Sequence, residues 1–326
     1  MSQYRRLFLI ADPSMMHTPA FERAGWLAQS TGASLHICLF DYSQAIASVA
    51  LVDKEQAARA RASHIHIREQ WLAEEATVLR GRGVQVTTEV CWAHPLCEEM
   101  LAHVLELVPD IVIKDAHLEP LLKRVLMTPL DWQLLRQCTA PLLLVNSTAH
   151  KIPRRIIAAV DLRLMEQDGP DLNDAIIHAA LQLAIQCDAQ LHLVHAYDGA
   201  LAVPPAASLE SPVITADLYE TLLATQRQAF TALADAHGVP PDQRHFLIGP
   251  PAAIVAAFAK ASDTDIIVLG TTHRVGMERL LMGSTAENIL FYLPCSVLAI
   301  PPETGVDALA RDLAAANSHA EAHGTA

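Results

Sequence analysis

Gly283, Ser284 and Thr285 stand directly before the apolar run AENILFYL, and Gly270 closes the apolar run TDIIVLG thirteen residues earlier. A glycine at a strand end lets the chain turn with no Cβ between backbone and ligand. A Gly-Ser-Thr segment that opens a helix aims unpaired N–H groups and the positive end of the helix dipole at one point. Two hydroxyls, and Arg274 in the intervening loop, add donors and positive charge. These residue types in this order suit one chemistry, the binding of phosphate oxygens. A second account uses the same residues: Ser284 and Glu287 form a capping box, which stabilises a helix start by about 1 kcal/mol with no ligand. Gly270 likewise suits a strand-end turn by itself.

Phosphoryl transfer asks for more, namely a positioned metal or base and a charged clamp. The chain has no glycine-rich loop ending in Lys-Ser or Lys-Thr, no SGG-x-D-S loop and no His-x-Gly-His. Asp161 is the one carboxylate expected near the glycines, so no catalytic residue is assigned. Six cysteines, at 38, 91, 97, 138, 187 and 295, fall mostly inside apolar runs such as LHICLF and LPCSVLAI, which predicts buried thiols in a reducing compartment. CWAHPLC brings Cys91, His94 and Cys97 close in sequence. Zinc sites usually take four ligands and no second pair of matching spacing is present, so no metal site is expected. His64 and His66, two apart, would face different ways on a helix.

The elements that must position these residues come in two sets. RRLFLIADP (5–13) is echoed by RRIIAAVDL (154–162), GASLHICLFDY (32–42) by DAQLHLVHAYD (188–198), and WAHPL (92–96) by IGPPA (248–252). PDIVIKDAH (109–117) is echoed by TDIIVLGTTH (264–273), and APLLLV (140–145) by LPCSVLAI (293–300). The pairs keep one order at an offset of about 150 residues, one domain length, which marks a duplication. Apolar runs without polar alternation predict parallel strands covered on both faces. Between them lie helical periods, such as the face Ile176, Ala180, Leu183, Cys187. Each copy therefore predicts a doubly wound α/β sheet whose ligand crevice lies at strand ends near 12/161, 40/196 and 114/269. The expected division is residues 1–147 and 152–302, joined by the polar linker NSTAHKIP (146–153), with an Ala-rich tail over 303–326.

GTTHRVGMERLLMGSTAEN (270–288) resembles the signature of the universal stress protein family, Gly-x2-Gly-x9-Gly-Ser/Thr, with His273 in place of the middle glycine. TDIIVLG, the GPP at 249–251 and the VD at 160–161 fall where that family expects them. The first copy's KDAH…MTPLDWQLLRQC…P (114–141) looks like the degenerate half of tandem E-type members. The resemblance implies two tandem five-stranded Rossmann-like sheets paired through their last strands as an intramolecular pseudo-dimer. It implies an adenine-nucleotide site, for ATP or a relative with or without Mg, formed by Val160, Asp161, Ala196, Leu269, Gly270, Thr272, His273, Gly283, Ser284, Thr285 and Ala286. Asp161 and Ala196 would border ribose and adenine. The first copy is expected not to bind phosphates: Asp115 replaces Gly270, and Thr128-Pro129 replaces Gly283-Ser284, so a negative charge arrives and an N–H donor is lost.

Bulk composition narrows the function classes. With 52% hydrophobic and 18% charged residues over 326 positions, the chain is a globular protein able to bury two cores. A net charge of -13 repels nucleic-acid backbones. No apolar run reaches the roughly 18 residues of a membrane span, and a cytoplasmic location is expected. Three readings follow: a stress-response binding or signalling protein with an unidentified protein partner and room for a further homodimer; a weak ATP hydrolase of the same architecture; or a carrier of an apolar ligand between the copies, covered by ALAVPPAASLESPVI (200–214).

Overall fold

The computed structural model describes residues 4–121, 124–127, 129–146, 150–162, 172–198, 216–271 and 295–302. The first copy contributes β1 (Arg6–Ala11), α1 (Pro19–Thr31), β2 (Ser34–Asp41), α2 (Gln44–Val49), α3 (Lys54–Gly81), β3 (Val86–Trp92), α4 (Leu96–Leu107) and β4 (Ile111–Asp115). A two-stranded antiparallel pair, β5 (Leu118–Leu121) and β6 (Arg124–Met127), then precedes α5 (Pro129–Gln137) and β7 (Leu142–Val145). The second copy contributes β8 (Arg155–Val160), α6 (Leu172–Cys187), β9 (Gln190–Tyr197), α7 (Ala216–Ala236), β10 (Arg244–Ile248), α8 (Pro251–Ala261), β11 (Ile266–Gly270) and β12 (Ser296–Ile300).

The strands form one sheet in the order β10-β9-β8-β11-β12-β7-β4-β1-β2-β3. All its pairings are parallel except β12 with β7, which run antiparallel with Leu298 opposite Leu143. The two five-stranded halves thus close each other's last edge, as the pseudo-dimer expectation requires, and a row of unpaired N–H and C=O groups is removed from solvent. The inner strands β4, β7, β11 and β12 are buried almost throughout, whereas the outer strands β3 and β10 carry partly exposed polar side chains. A parallel strand covered by helices on both faces leaves no position for polar alternation, while an edge strand does.

Both faces carry a core that runs across the two copies. Helices α1, α3, α6 and α7 cover one face, with Leu27, Leu72, Ile177 and Phe230 packed together with Leu143 and Leu298. Helices α4, α5 and α8 cover the other through Met100, Leu134 and Val255. The predicted face Ile176, Ala180, Leu183, Cys187 of α6 is buried. Helix α1 shows its punctuation locally: the Thr18 hydroxyl accepts from Phe21 N–H, Pro19 opens the first turn, and Gly32 ends it at a φ of 70°, where a glycine avoids Cβ strain.

The repeated Arg-Arg and Asp residues have a structural role. Asp110 Oδ2 accepts the backbone N–H of Arg5 at 2.7 Å and of Arg6 at 2.8 Å. Asp265 Oδ2 accepts those of Arg154 at 2.7 Å and Arg155 at 3.0 Å. In each copy a carboxylate at the start of the fourth strand ties down the start of the first. Burial opposes the charge of Asp265, but these two N–H bonds and His150 hold its carboxyl below the usual range. Within the linker, Asn146 N–H donates to Ser296 Oγ at 3.1 Å, and His150 Nδ1 lies 2.5 Å from Asp265 Oδ1.

Candidate functional site

In the second copy the strand order reverses between β8 and β11, the point at which open α/β sheets leave a crevice beyond their carboxyl ends. The register sets Leu269 beside Ala159 and His195 beside Val160, which brings the ends of β8, β9 and β11 together. Val160–Asp161, Ala196 and Leu269–Gly270 therefore meet at one rim. Thr272, His273, Gly283, Ser284, Thr285 and Ala286 lie outside the described residues, as do the capping box and the loop 200–214. Val160 and Leu269 bury their side chains in the cores of opposite faces, so what they present at the rim is main chain. Asp161 is held by its backbone: its N–H donates to Asn173 Oδ1 at 3.0 Å, and Asn173 Nδ2 donates to Asp161 O at 3.0 Å. Asn173 is fully buried in the first turn of α6. A buried amide that pairs its oxygen and its nitrogen with the N–H and C=O of one residue fixes the two peptide units that flank that residue. Sequence reasoning missed Asn173; the signal was a lone amide opening an otherwise apolar helical face.

Gly270 is used differently from the simple strand-end picture. A Cβ there would lie 2.6 Å from Leu172 Cδ2, 2.9 Å from its Cγ and 3.1 Å from Ile176 Cδ1. Helix α6 thus occupies the space that a side chain would need. Gly270→Ala is expected to cost about 1–3 kcal/mol through overpacking, read as a lower midpoint in urea unfolding. An unchanged midpoint would mean that Leu172 moves aside freely.

The first copy's crevice is filled by its own side chains. Lys114, on the face opposite Asp115, is buried and donates to Asp131 Oδ1 at 2.7 Å, to Asp115 O at 2.9 Å and to His117 Nδ1 at 3.0 Å. An ammonium has three protons, and all three are used. His117 accepts through Nδ1, so its Nε2–H is the donor toward Asp12 Oδ2 at 2.6 Å. Its backbone N–H donates to Asp131 Oδ2 at 3.0 Å. Asp131 has no exposed surface and stands in the first turn of α5, where Pro129 offers no N–H. A carboxylate of the chain itself is thereby placed at the positive end of the helix, the position at which an anion binds. Burial opposes the charge of Asp12, yet its bonds from Ser14 and His117 hold its carboxyl below the usual range.

This corrects one expectation. Asp115 stands at the register position of Gly270, next to Val145 as Gly270 is to Ile300. Its carboxylate is turned to the start of α1, where Oδ1 accepts Ala20 N–H at 3.0 Å. Burial pushes its carboxyl up, against the bonds from Thr18 and Ala20. The carboxylate that closes this crevice is Asp131, and alternation along the strand explains why: residue 115 faces α1 and residue 114 faces α5. Trp132 packs against the core of that face beneath the Arg136 guanidinium, as an aromatic on an amphipathic helix should.

CWAHPLC does not assemble as its spacing suggests. His94 stacks on Tyr42 with ring centroids 4.3 Å apart, and Cys97 packs in the core. His64 and His66 separate as expected: His64 lies 2.9 Å from Asp41 Oδ2 and His66 3.8 Å from Glu69. No helix among the described residues is long and apolar enough to cross a membrane.

The sequence pattern of the Universal stress protein family matches residues 3–146 and, a second time, residues 153–301. The chain belongs to that family. It is a tandem member with two Usp domains on the α/β fold described above. It is 28% identical over 305 residues to Universal stress protein E of Escherichia coli, covering 93% of this chain and 96% of that one. Among solved structures it is similar to a protein of unknown function from Pseudomonas aeruginosa, with a TM-score of 0.73, 26% identity, and 94% and 95% of the two chains covered. A universal stress protein from Archaeoglobus fulgidus shares the fold at a TM-score of 0.59 and 15% identity, over 90% of this chain and 98% of that one.

Proposed function

We propose that this universal stress protein is a stress-response binding protein that takes one adenine nucleotide per chain, in its second copy. The observation that carries the reading is the difference between the two crevices at matched positions. Lys114, His117 and Asp131, which fill the first, correspond through the repeat to Leu269, Thr272 and Ala286. A leucine, a threonine and an alanine cannot build that ionic plug, while Asp161 keeps the place of Asp12. The second copy therefore retains a carboxylate suited to sugar hydroxyls and a glycine-bounded segment suited to phosphates, with His273 as an added donor. The division into a closed copy over 1–147 and a binding copy over 152–302 belongs to the same proposal. So does a role in binding and signalling without efficient turnover: no base or phosphate clamp accompanies Asp161 in the sequence.

Calorimetric titration with Mg-ATP and with AMP tests the reading. Wild type is expected to take one equivalent, and Gly283→Pro, which removes an N–H donor where the phosphate would sit, is expected to lose at least tenfold in affinity. Two equivalents per chain would refute the closed first copy. Robust multiple turnover abolished by Asp161→Ala would favour the hydrolase instead.

A further inference from the structure

We propose a second site in this chain, a pocket for a small organic anion with a carboxylate or phosphate head, at the N-terminal ends of β1, β2 and β3. A cavity of about 560 Å³ opens there, away from the carboxyl ends where the first copy's crevice lies. Its polar lining is Arg6, Ser34, His36, Arg80, Gln85 and Thr87. The remaining lining residues are apolar, and no carboxylate lines it. The volume is that of a small-molecule site. Two guanidiniums beside apolar surface suit an oxyanion carried on an apolar body.

Both arginines have donors left to give. Arg6 Nη1 donates to Leu107 O at 3.2 Å, and Arg80 Nη2 donates to Val86 O at 2.8 Å. A guanidinium carries five N–H groups, and neither arginine makes an ion pair or a second hydrogen bond among the described residues. The one bond that each makes tethers its planar fork, so less freedom is lost when an oxyanion arrives. His36 adds no negative charge: burial pushes its pKa down against the pull of Glu89, and its Nδ1 lies 2.8 Å from Thr87 Oγ1. Asp110, next in the chain after the lining Pro109, gives its Oδ2 to the backbone N–H groups of Arg5 and Arg6.

The second copy shows the same place neutralised. Helix ends match between the copies through their left-handed residues. Gly32 and Asp188 follow α1 and α6 at φ 70° and 52°, Val108 and Asp263 follow α4 and α8 at 43° and 50°, and Gly83 and Gly238 follow α3 and α7 at 86° and 65°. Arg155 repeats Arg6, donating from Nη1 to Ser262 O as Arg6 does to Leu107 O. Counting back three residues from Gly83 and from Gly238 sets Arg80 against Asp235. Three carboxylates of the second copy, Asp188, Asp235 and Asp263, are thus glycine, arginine and valine in the first. The second copy uses them: Asp263 holds Arg154 at 3.0 Å and Asp235 holds Arg244 at 2.7 Å. Asp188 and Asp263 also line a smaller cavity of about 380 Å³ with Arg154 and Arg155. On one scaffold, the first copy has lost three negative charges and gained a positive one. In a chain of net charge -13, such a local reversal draws anions to one mouth.

Nuclear magnetic resonance on the isotope-labelled full chain tests the site, with phenyl phosphate and benzoate as probes and benzamide as the uncharged control. The anions are expected to move the Arg6 and Arg80 Nε–H signals and the Thr87 amide saturably, and the tighter of the two identifies the head group. Benzamide is expected to move none of them. Arg80→Gln should lower affinity at least about tenfold. Val108→Asp returns the second copy's carboxylate to an exposed position, at a φ of 43° that aspartate tolerates better than valine. It should lower affinity with both arginines intact. No saturable shift with either anion overturns the proposal, as does an equal response to benzamide or an affinity that neither variant changes. Shifts confined to Gly270 and Thr271 would put the probe in the proposed nucleotide crevice and overturn this site equally. Nucleotide titration of Arg80→Gln should be unaltered, so this pocket can fail or stand independently of the proposed nucleotide site.

Discussion

Replacing Lys114 with methionine is expected to cost about 3–5 kcal/mol, because it strands the Asp131 carboxylate in the interior with its countercharge gone. The magnitude follows from burial: Asp131 has no exposed surface and Lys114 has 4%. At such a site the loss of one partner is governed by the cost of keeping a bare charge out of water, far above the fraction of a kcal/mol typical of an exposed pair. Asp131→Leu alone should be costly for the same reason. The double variant Lys114→Met/Asp131→Leu is expected to recover most of the loss, because two apolar side chains of similar volume replace a pair that contributes little net. Urea unfolding of the four proteins measures the coupling directly. A single-variant loss below about 1 kcal/mol would mean that water reaches the pair, and the picture of a sealed first crevice would be wrong.

The second large effect is expected at the seam. Leu143 and Leu298 face each other across the antiparallel β7–β12 pairing, and both are fully buried. Truncating either to alanine is expected to cost about 2–5 kcal/mol from lost transfer energy and an incompletely collapsed cavity. The two losses should not add, with an interaction of about 0.5–3 kcal/mol, because the side chains share one contact region. Each core runs continuously across the seam, so the copies are expected to unfold together, and each variant should lower a single transition seen alike by calorimetry and by tryptophan fluorescence. All four tryptophans, Trp26, Trp71, Trp92 and Trp132, lie in the first copy. A Leu298→Ala change on the second copy's strand that shifts the fluorescence transition therefore reports coupling across the seam. Two separate transitions, with fluorescence unmoved by Leu298→Ala, would show that the halves are independent.

Much of the architecture is legible in the chain because it repeats. The duplicated strands, their apolar character and the order of strands and helices all follow from local patterns that survive in both copies. The closing of one sheet through the last strands followed from family resemblance together with the cost of an open edge. The candidate site was legible only in part. Asp161 and Gly270 come to one rim because both end strands of a parallel sheet. Asn173, which orients Asp161, was not seen, since a single amide in an apolar helix carries no spacing signal. The Lys114 plug was hidden for a related reason: its four members, Asp12, Lys114, His117 and Asp131, are drawn from the segment after β1, β4, the segment after β4 and α5.

Sequence alone determined that this protein is two related α/β halves of one family, and that the segment bounded by Gly270 and Gly283 differs in charge and in hydrogen-bond donors from its counterpart in the first copy. Tertiary structure alone decided which carboxylate closes the first crevice, what fills the space beside Gly270, and which arginines gather around the cavity at the N-terminal ends of β1, β2 and β3. The reason lies in range. Strand and helix periods are set by neighbours along the chain, whereas the environment of a buried polar group is set by side chains brought in from distant elements, and alternation across a strand sends adjacent residues such as Lys114 and Asp115 to opposite faces of the sheet.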